Sequence, residues 1–412
     1  MQHNSPLPEK EAGLLQGWVL VSLAWLAVMA NIVLAPILPL MKAHFSHLES
    51  VDLLISLAAT LPALFVALFA IPAGILADRI GRKTLLLLSV AFYGVAGTAP
   101  LWLGTLPQII VSRAFVGLME AVLMTVGTAM IGDYFSGTRR ERFLAAQTGS
   151  STIAASILLL ASGLLGSLGW RYPYAIYGFA FFLIPMVGFY LWEPQIKAST
   201  GSAANPREAG PHKPFSFSGF IAEWWQLGGI CLITVFGMTA FLITVIQLPF
   251  LLTERGMASP AFIGKCATVA TLATVLGAIL FTILTWRILV KLAASLFLLG
   301  IGFAFMGLST TWYVATFGAT VANLGAGIIL PTLITWALST LAPQKRGKGT
   351  GAWQAASFLG QFLSPLAVLG LNRLTGSLSA AIAVYAVACG LLGGIVLISS
   401  LKTARQPEAQ EG

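Results

Sequence analysis

The sequence predicts an all-α membrane protein of twelve transmembrane helices in two six-helix pseudo-repeat bundles. Three observations lead there. Only 9% of the residues are charged and 57% are hydrophobic, whereas a water-soluble domain is about one-quarter charged, so this chain cannot cover a water-facing surface. Twelve apolar runs each reach the roughly 20 residues that a helix needs to cross a bilayer. A polar stretch at 193–218, rich in Pro, Ser and Ala, divides six runs from six and reads as a connector.

The elements follow in order. A polar tail, 1–13, precedes the first run at 14–40, which is too long for a signal-peptide core and reads as a retained span. Runs at 51–73 and 85–103 flank a ten-residue polar turn, 74–83. The fourth, 109–131, carries Arg113 and Glu120. The fifth, 143–165, follows the basic turn at 137–142, and the sixth, 172–191, completes a first bundle at 14–192. The second bundle, 219–401, holds runs at 220–242, 261–285, 288–308, 314–338, 349–371 and 378–401, before a polar tail at 402–412. Only Trp286, Arg287 and Lys291 interrupt the apolar stretch between the eighth and ninth runs. Pro36, Pro62, Pro72, Pro185, Pro331 and Pro365 predict kinked spans, and 42 glycines suit close helix packing.

Counting Lys and Arg orients the chain. With both termini inside, 17 bases fall on the cytoplasmic side and 5 outside, leaving Arg113 within a span. The reverse topology would invert that ratio and break the positive-inside rule. The net charge of +9 is therefore explained by topology and asks for no nucleic-acid partner.

The most specific motif is the turn Gly74-Ile-Leu-Ala-Asp78-Arg79-Ile-Gly81-Arg82-Lys83. Its bases fit the cytoplasmic side, and its glycines permit a tight turn and close backbone approach. Its acid is not required by positive-inside logic. The run resembles the signature loop between helices 2 and 3 of the major facilitator superfamily, Gly-x-x-x-Asp-Arg/Lys-x-Gly-Arg-Arg/Lys, at every defined position. Among its members the chain is most like the bacterial twelve-span drug:proton antiporters. The resemblance implies a major facilitator fold and a conformational gate built from Gly74, Asp78, Arg79, Gly81, Arg82 and Arg142. In that gate Asp78 caps the start of helix 11 and pairs with a base of the helix 4–5 loop, Arg139, Arg140 or Arg142. A carboxylate at a helix N-terminus is physically sound; the alternative is that Asp78 caps its own loop. The second copy of the motif, between runs 8 and 9, keeps only Trp286, Arg287 and Lys291.

Arg113-Ala-Phe-Val-Gly117 resembles the Arg-x-x-x-Gly motif of helix 4, which implies a link to proton coupling. Glu120 lies seven residues further, about two turns or roughly 10.5 Å, on the same helix face. A mid-span carboxylate is expensive unless it faces a cavity or can take a proton, which makes Glu120 the proton-carrier candidate; the alternative is a structural ion-paired or hydrogen-bonded Glu. Asn31, Gln147, Thr239, Asn323, Gln354 and Gln361 are further polar groups within spans, and with Glu120 they form the expected substrate cavity. Gln354, Ser357 and Gln361 share one helix face. The helix 5 motif Gly-Pro-x-x-Gly-Gly of many antiporters is incomplete, because 161–166 reads Ala-Ser-Gly-Leu-Leu-Gly.

No phosphate-binding loop is present, and the three cysteines and four histidines form no metal or catalytic pattern. The expected protein is no enzyme and needs no cofactor beyond a proton gradient. It is expected to be a monomer in the bilayer of a bacterial inner membrane that exports amphipathic compounds or drugs in exchange for protons. Proton-coupled import of a metabolite such as an organic acid or sugar is the alternative, and a non-transporting membrane sensor is a third. In a cysteine-free background, Ser202→Cys in the linker should react only with membrane-permeant maleimides in intact cells, and Glu254→Cys with impermeant ones. Reversed labelling would overturn the orientation.

Overall fold

A computed structural model describes residues 12–194, 217–340 and 346–405. They form twelve helical spans: α1 Leu14–His44, α2 Val51–Ile80, α3 Arg82–Leu101, α4 Leu106–Tyr134, α5 Gly137–Gly166, α6 Tyr172–Tyr190, α7 Leu227–Glu254, α8 Pro260–Ile283, α9 Ile288–Gly307, α10 Trp312–Thr340, α11 Gly349–Thr375 and α12 Leu378–Lys402. No strand occurs among the described residues. Most of the linker, both chain tails and part of the α10–α11 loop, including Lys345, lie outside the described residues.

Three boundaries depart from the expected ones. Span α1 is broken: a helix at Leu14–Ile32 and another at Leu38–His44 flank a 3-10 turn, Ala35–Ile37, that contains Pro36. Proline removes a backbone donor and ends the regular ladder there. Span α2 continues to Ile80, so most of the signature decapeptide is helical. Only Gly81, at φ +94°, makes the turn into α3, a conformation that favours glycine. Gly74 sits inside the helix with Thr125 of α4 as its neighbour. Finally, the helix carrying α7 runs over 38 residues, Phe217–Glu254, through Pro249. That is longer than a bilayer requires, and the expected end at 242 was placed too early.

The packing separates the spans into two groups. In the first, α4 packs on α1, α2 and α3, α6 on α3, and α5 on α1. In the second, α10 packs on α7, α8 and α9, with α12 on α9 and α11 on α7. Between the groups, the main seams are α2 with α11 and α5 with α8. These pairs exchange under a shift of six spans, so the seams themselves are pseudo-symmetric.

Both seams lie away from the basic end, the end that carries Arg79, Arg82, Lys83, Arg139, Arg140, Arg142, Arg287 and Lys291. At Gly163 of α5 an added Cβ would meet the Pro260 carbonyl oxygen at 2.6 Å and the Gly264 Cα at 2.9 Å. Thr268 of α8 donates to the Ser156 carbonyl at 3.2 Å, and Thr60 of α2 donates to the Phe362 carbonyl at 3.4 Å. At the basic end, Asp78, Arg79, Arg139, Arg140 and Arg142 are all exposed. The bundles therefore close on each other at the far end and part toward the basic end.

Gly163→Ala places a methyl group against backbone that cannot rotate away. Overpacking of this kind costs about 1–3 kcal/mol, and the cost falls on the far-end-closed arrangement. In Gly163→Ala, a reporter cysteine at Gln247, 7% exposed near the far end of α7, should be modified faster than in the parent. Gly178→Ala, where nothing lies within 4 Å, should leave the rate unchanged. Equal rates in both variants would show that the seam does not govern closure.

Candidate functional site: a cavity beside a buried arginine

A cavity of about 390 Å³ lies between the two bundles. Its walls include Asn31 of α1, Glu120 and Met124 of α4, Gln147 of α5, Phe241 of α7, Thr274 of α8, Asn323 of α10, and Phe358 and Gln361 of α11. Thr128 and Thr148, both exposed, line its side toward the basic end. Five of the seven residues expected in the cavity, Asn31, Glu120, Gln147, Asn323 and Gln361, thus line one space.

Thr239 and Gln354 do not. Thr239 donates to the Gly360 carbonyl at 3.0 Å and its own carbonyl accepts from Ser364 at 2.8 Å, so it ties α7 to α11. Gln354 lies two turns from Gln361 toward the basic end and falls outside the lining. Of the expected α11 face, Ser357 turns back to the Trp353 carbonyl at 2.9 Å. Only Gln361 of that face reaches the cavity.

Glu120 is 1% exposed, and its Oε2 has no hydrogen-bond partner among the described residues. The Oδ1 of Asn31 and the Oγ1 of Thr274 are likewise buried without a partner. Asn323 differs, because its Oδ1 accepts from Thr244 at 2.7 Å. Gln147 donates weakly to Thr128 at 3.3 Å.

Arg113 is fully buried. No ion pair among the described residues includes Arg113 or Glu120, so the ion-paired alternative for Glu120 is not what the structure contains. Instead Arg113 Nη1 donates to Tyr177 Oη at 2.8 Å and Nη2 reaches the Gly97 carbonyl at 3.4 Å. The guanidinium carbon stands 4.7 Å from the Tyr177 ring centroid and 5.4 Å from that of Tyr174, within cation–π range. Tyr177 donates onward to the Met29 carbonyl at 2.9 Å, and Tyr93 donates to the Leu26 carbonyl. Gly97 makes room, because a Cβ there would meet Tyr177 at 2.4 Å. This tyrosine set was not expected from sequence. The available signal was the run Tyr172-Pro-Tyr-Ala-Ile-Tyr177, which places three of the eight tyrosines within six residues.

The signature turn is clamped by groups the sequence reading did not place there. Glu193, assigned to the linker, accepts from the backbone N–H of Arg82 at 2.5 Å and of Lys83 at 2.9 Å. It is therefore the carboxylate that caps a helix N-terminus here, that of α3. Arg82 pairs with Asp133 of α4 and, at 3.4 Å, with Asp78 one turn earlier. Lys83 donates to the Gly188 carbonyl at 2.8 Å. The expected contact of Asp78 with Arg142 is not formed among the described residues. Asp78 has 64% of its side chain exposed and is turned to Arg82 instead, and Arg142 is also exposed.

Two packed six-helix groups with a polar-spotted cavity between them are the architecture of a secondary transporter. Residues 20–365 match the sequence profile of the Major Facilitator Superfamily. The chain belongs to the major facilitator superfamily. An uncharacterized MFS-type transporter of Methanocaldococcus jannaschii is 20% identical over 338 residues, covering 79% of this chain and 84% of that one. Quinolone resistance protein NorB of Staphylococcus aureus is 27% identical over 124 residues, 30% of this chain and only 27% of its own length. The fold is similar to that of a bacterial homologue of the human lysosomal transporter Spinster, solved inward-facing and unoccupied. That match has a TM-score of 0.67 and 17% identity over 94% of this chain and 95% of the other. A peptide transporter of the POT family in complex with sulfate matches with a TM-score of 0.69 and 15% identity over 94% of each chain. At these identities the likeness concerns the fold.

Tyr177→Phe removes the shortest hydrogen bond to the buried guanidinium. A hydrogen bond to a charged group contributes about 1.5–3 kcal/mol, a neutral one about 0.5–1.5 kcal/mol. Thermal melting in detergent should therefore fall further for Tyr177→Phe than for Tyr93→Phe, which loses only a carbonyl partner. Equal melting temperatures in the two variants would mean that Arg113 does not depend on the Tyr177 hydroxyl.

Proposed function

We propose that this chain is a proton-coupled exporter of small amphipathic compounds. It works by alternating access in a bacterial inner membrane, with its basic end and both termini in the cytoplasm. The 17-to-5 asymmetry of Lys and Arg supports that orientation. On this reading the structure is an inward-open state. Closing the basic end would bring Asp78 and Arg142 toward the start of α11 and complete the gate that includes Gly74, Arg79, Gly81 and Arg82.

The observation that carries the proposal is Glu120. It is an ionisable side chain inside the span region, in the cavity wall, with one oxygen free of protein partners. An intramembrane carboxylate facing a cavity can take up a proton on one side and release it on the other as access alternates. Arg113 is a fixed cation about two turns away, roughly 10.5 Å along α4, and it forms no ion pair with Glu120 among the described residues. The partial likeness to a quinolone resistance protein fits drug export. Import of a metabolite is the second reading, favoured by the four amide side chains, Asn31, Gln147, Asn323 and Gln361, in the cavity wall. The single charged group of that wall among the described residues weighs against a highly polar cargo.

Everted membrane vesicles energised with an imposed proton gradient test this directly. They should accumulate a fluorescent amphipathic dye, and Glu120→Gln should abolish accumulation while retaining binding or downhill exchange. Glu120→Asp should keep part of the activity. If Glu120→Gln still concentrates the dye normally, the proton is carried elsewhere. Accumulation only in right-side-out vesicles would reverse the direction.

A further inference from the structure

We infer that a lipid-facing groove between α3 and α4 holds a tail of an anionic phospholipid, with Arg171 binding its phosphate. The site is separate from the cavity between the bundles. It does not depend on what the chain transports or in which direction.

The groove has a volume of about 710 Å³ and is bordered by α3 from Phe92 to its end, by Leu103 just beyond it, and by α4 from Pro107 to Met119. The small side chains of Ala96 and Ala99 leave the hollow. The larger Phe92, Val95, Val111 and Phe115 stand around it, each more than half exposed. None of these residues lines the cavity between the bundles, so their apolar surface meets lipid. No charged side chain borders the groove among the described residues. Ser112 donates its hydroxyl back to the Ile109 carbonyl at 2.8 Å, so the wall is almost wholly apolar. At 1.5 Å per residue the two borders run roughly 16–18 Å. That is close to one leaflet of hydrocarbon, about half of a 30 Å core. The groove ends at the α3–α4 loop, at the far end of the bundle. On the orientation proposed above, it lies in the outer leaflet.

The mouth supplies a charge. Arg171, in the α5–α6 loop, donates from Nη2 to the Leu103 carbonyl at 3.3 Å, and Leu103 borders the groove. Its guanidinium carbon lies 5.0 Å from the Trp170 ring centroid, so one face is held against an indole. Arg171 is partly exposed and forms no ion pair among the described residues. The loop segments 102–105 and 167–171 contain no Asp or Glu. Trp102, 75% exposed, and Tyr172, 51% exposed, adjoin Leu103 and Arg171 in the chain. Exposed aromatic side chains of this kind mark the headgroup level of a bilayer. A guanidinium at that level presents forked donors that match a phosphate. Gln108, exposed at the same end of the groove, adds an amide donor for the ester carbonyls. A neutral lipid would fill the groove but leave Arg171 without a counter-charge. A choline headgroup carries its own cation beside the phosphate and offsets the attraction. A phosphatidylglycerol headgroup brings the phosphate charge alone, so it meets both the apolar wall and the unpaired base.

The test uses the full-length, cysteine-free protein in phosphatidylcholine nanodiscs, with a bimane label on Val95→Cys in the groove wall. A second labelled variant, Val387→Cys, reports an exposed position on α12 at a comparable distance from the far end. A small mole fraction of phospholipid brominated on its tails is added, either phosphatidylglycerol or phosphatidylcholine, and bimane quenching is read. At Val95→Cys the brominated phosphatidylglycerol should quench at least twofold more than the phosphatidylcholine at equal mole fraction. At Val387→Cys the two should quench alike. Adding Arg171→Gln to Val95→Cys should remove the difference, and Arg171→Lys should keep part of it. The comparison of Val95→Cys with Val387→Cys stands even if an Arg171 variant fails to fold. Equal quenching by the two lipids at Val95→Cys overturns the assignment. So does the same preference at Val387→Cys, which would show only a general attraction of anionic lipid to this protein. A preference unchanged by Arg171→Gln overturns the role of the arginine and with it the site.

Discussion

A guanidinium held wholly inside the membrane region is the constraint around which the first bundle is built. A charge in that setting must be surrounded by partners or it destabilises the fold. Here the partners are a hydroxyl, a carbonyl and two aromatic faces, and no carboxylate. Supplying them fixes α3 and α6 against α4, since Gly97 and Tyr177 must meet at one point. The Tyr177 hydroxyl that serves this site then needs an acceptor of its own and finds it on α1 at Met29, while Tyr93, whose ring lies against Tyr177, bonds to Leu26 of the same helix. A third carbonyl of α1, that of Val33, accepts from Ser162 of α5. Its usual helical partner, the N–H of Ile37, bonds instead to Leu34 in the 3-10 turn around Pro36. The break in α1 and the buried arginine thus belong to one network of hydrogen bonds that spans five helices.

The two charged groups of α4 divide the work that a single ion pair would have merged. Had Arg113 and Glu120 met, each would have cancelled the other and the cavity wall would be electrically silent. With Arg113 held by Tyr177, the Gly97 carbonyl and two ring faces, Glu120 stays in the wall of the space between the bundles, its Oε2 buried without a protein partner. Seven residues of helix, and the tyrosines set around the arginine, maintain that separation.

Much of this was legible in the sequence and some was not. Composition and run length gave twelve spans because a bilayer admits few alternatives to apolar helices of fixed length. Asn and Gln within spans proved good indicators of the cavity, with Asn31, Gln147, Asn323 and Gln361 all lining it. Hydroxyls divide: Thr128, Thr148 and Thr274 line it, whereas two of those singled out in the sequence do not. Ser357 satisfies itself on the carbonyl four residues back, and Thr239 finds a carbonyl on a neighbouring helix, so neither needs a cavity. Gln354 failed for a different reason: helical spacing gives the face but not the depth at which the cavity stops. Glu193 was invisible because its role depends on the end of α6 returning beside Gly81, a contact 110 residues or more apart in sequence. The length of α7 was misjudged because an apolar stretch longer than the bilayer does not say which part crosses it.

The seam between α5 and α8 has a consequence for how the bundles can separate. Gly163 and Gly264 bring main chain against main chain, with no side chain of either glycine between them. Interlocked side chains must change rotamer before two helices slip, and each such change adds friction to the path. A glycine seam has no teeth to disengage at its tightest point. It behaves as a bearing surface, close enough to hold dispersion contact yet smooth enough to part or slide without local repacking. The barrier to opening there is then set by the Thr268–Ser156 hydrogen bond and by solvation of the surfaces exposed, which makes the lipid and water that enter the gap part of the mechanical design.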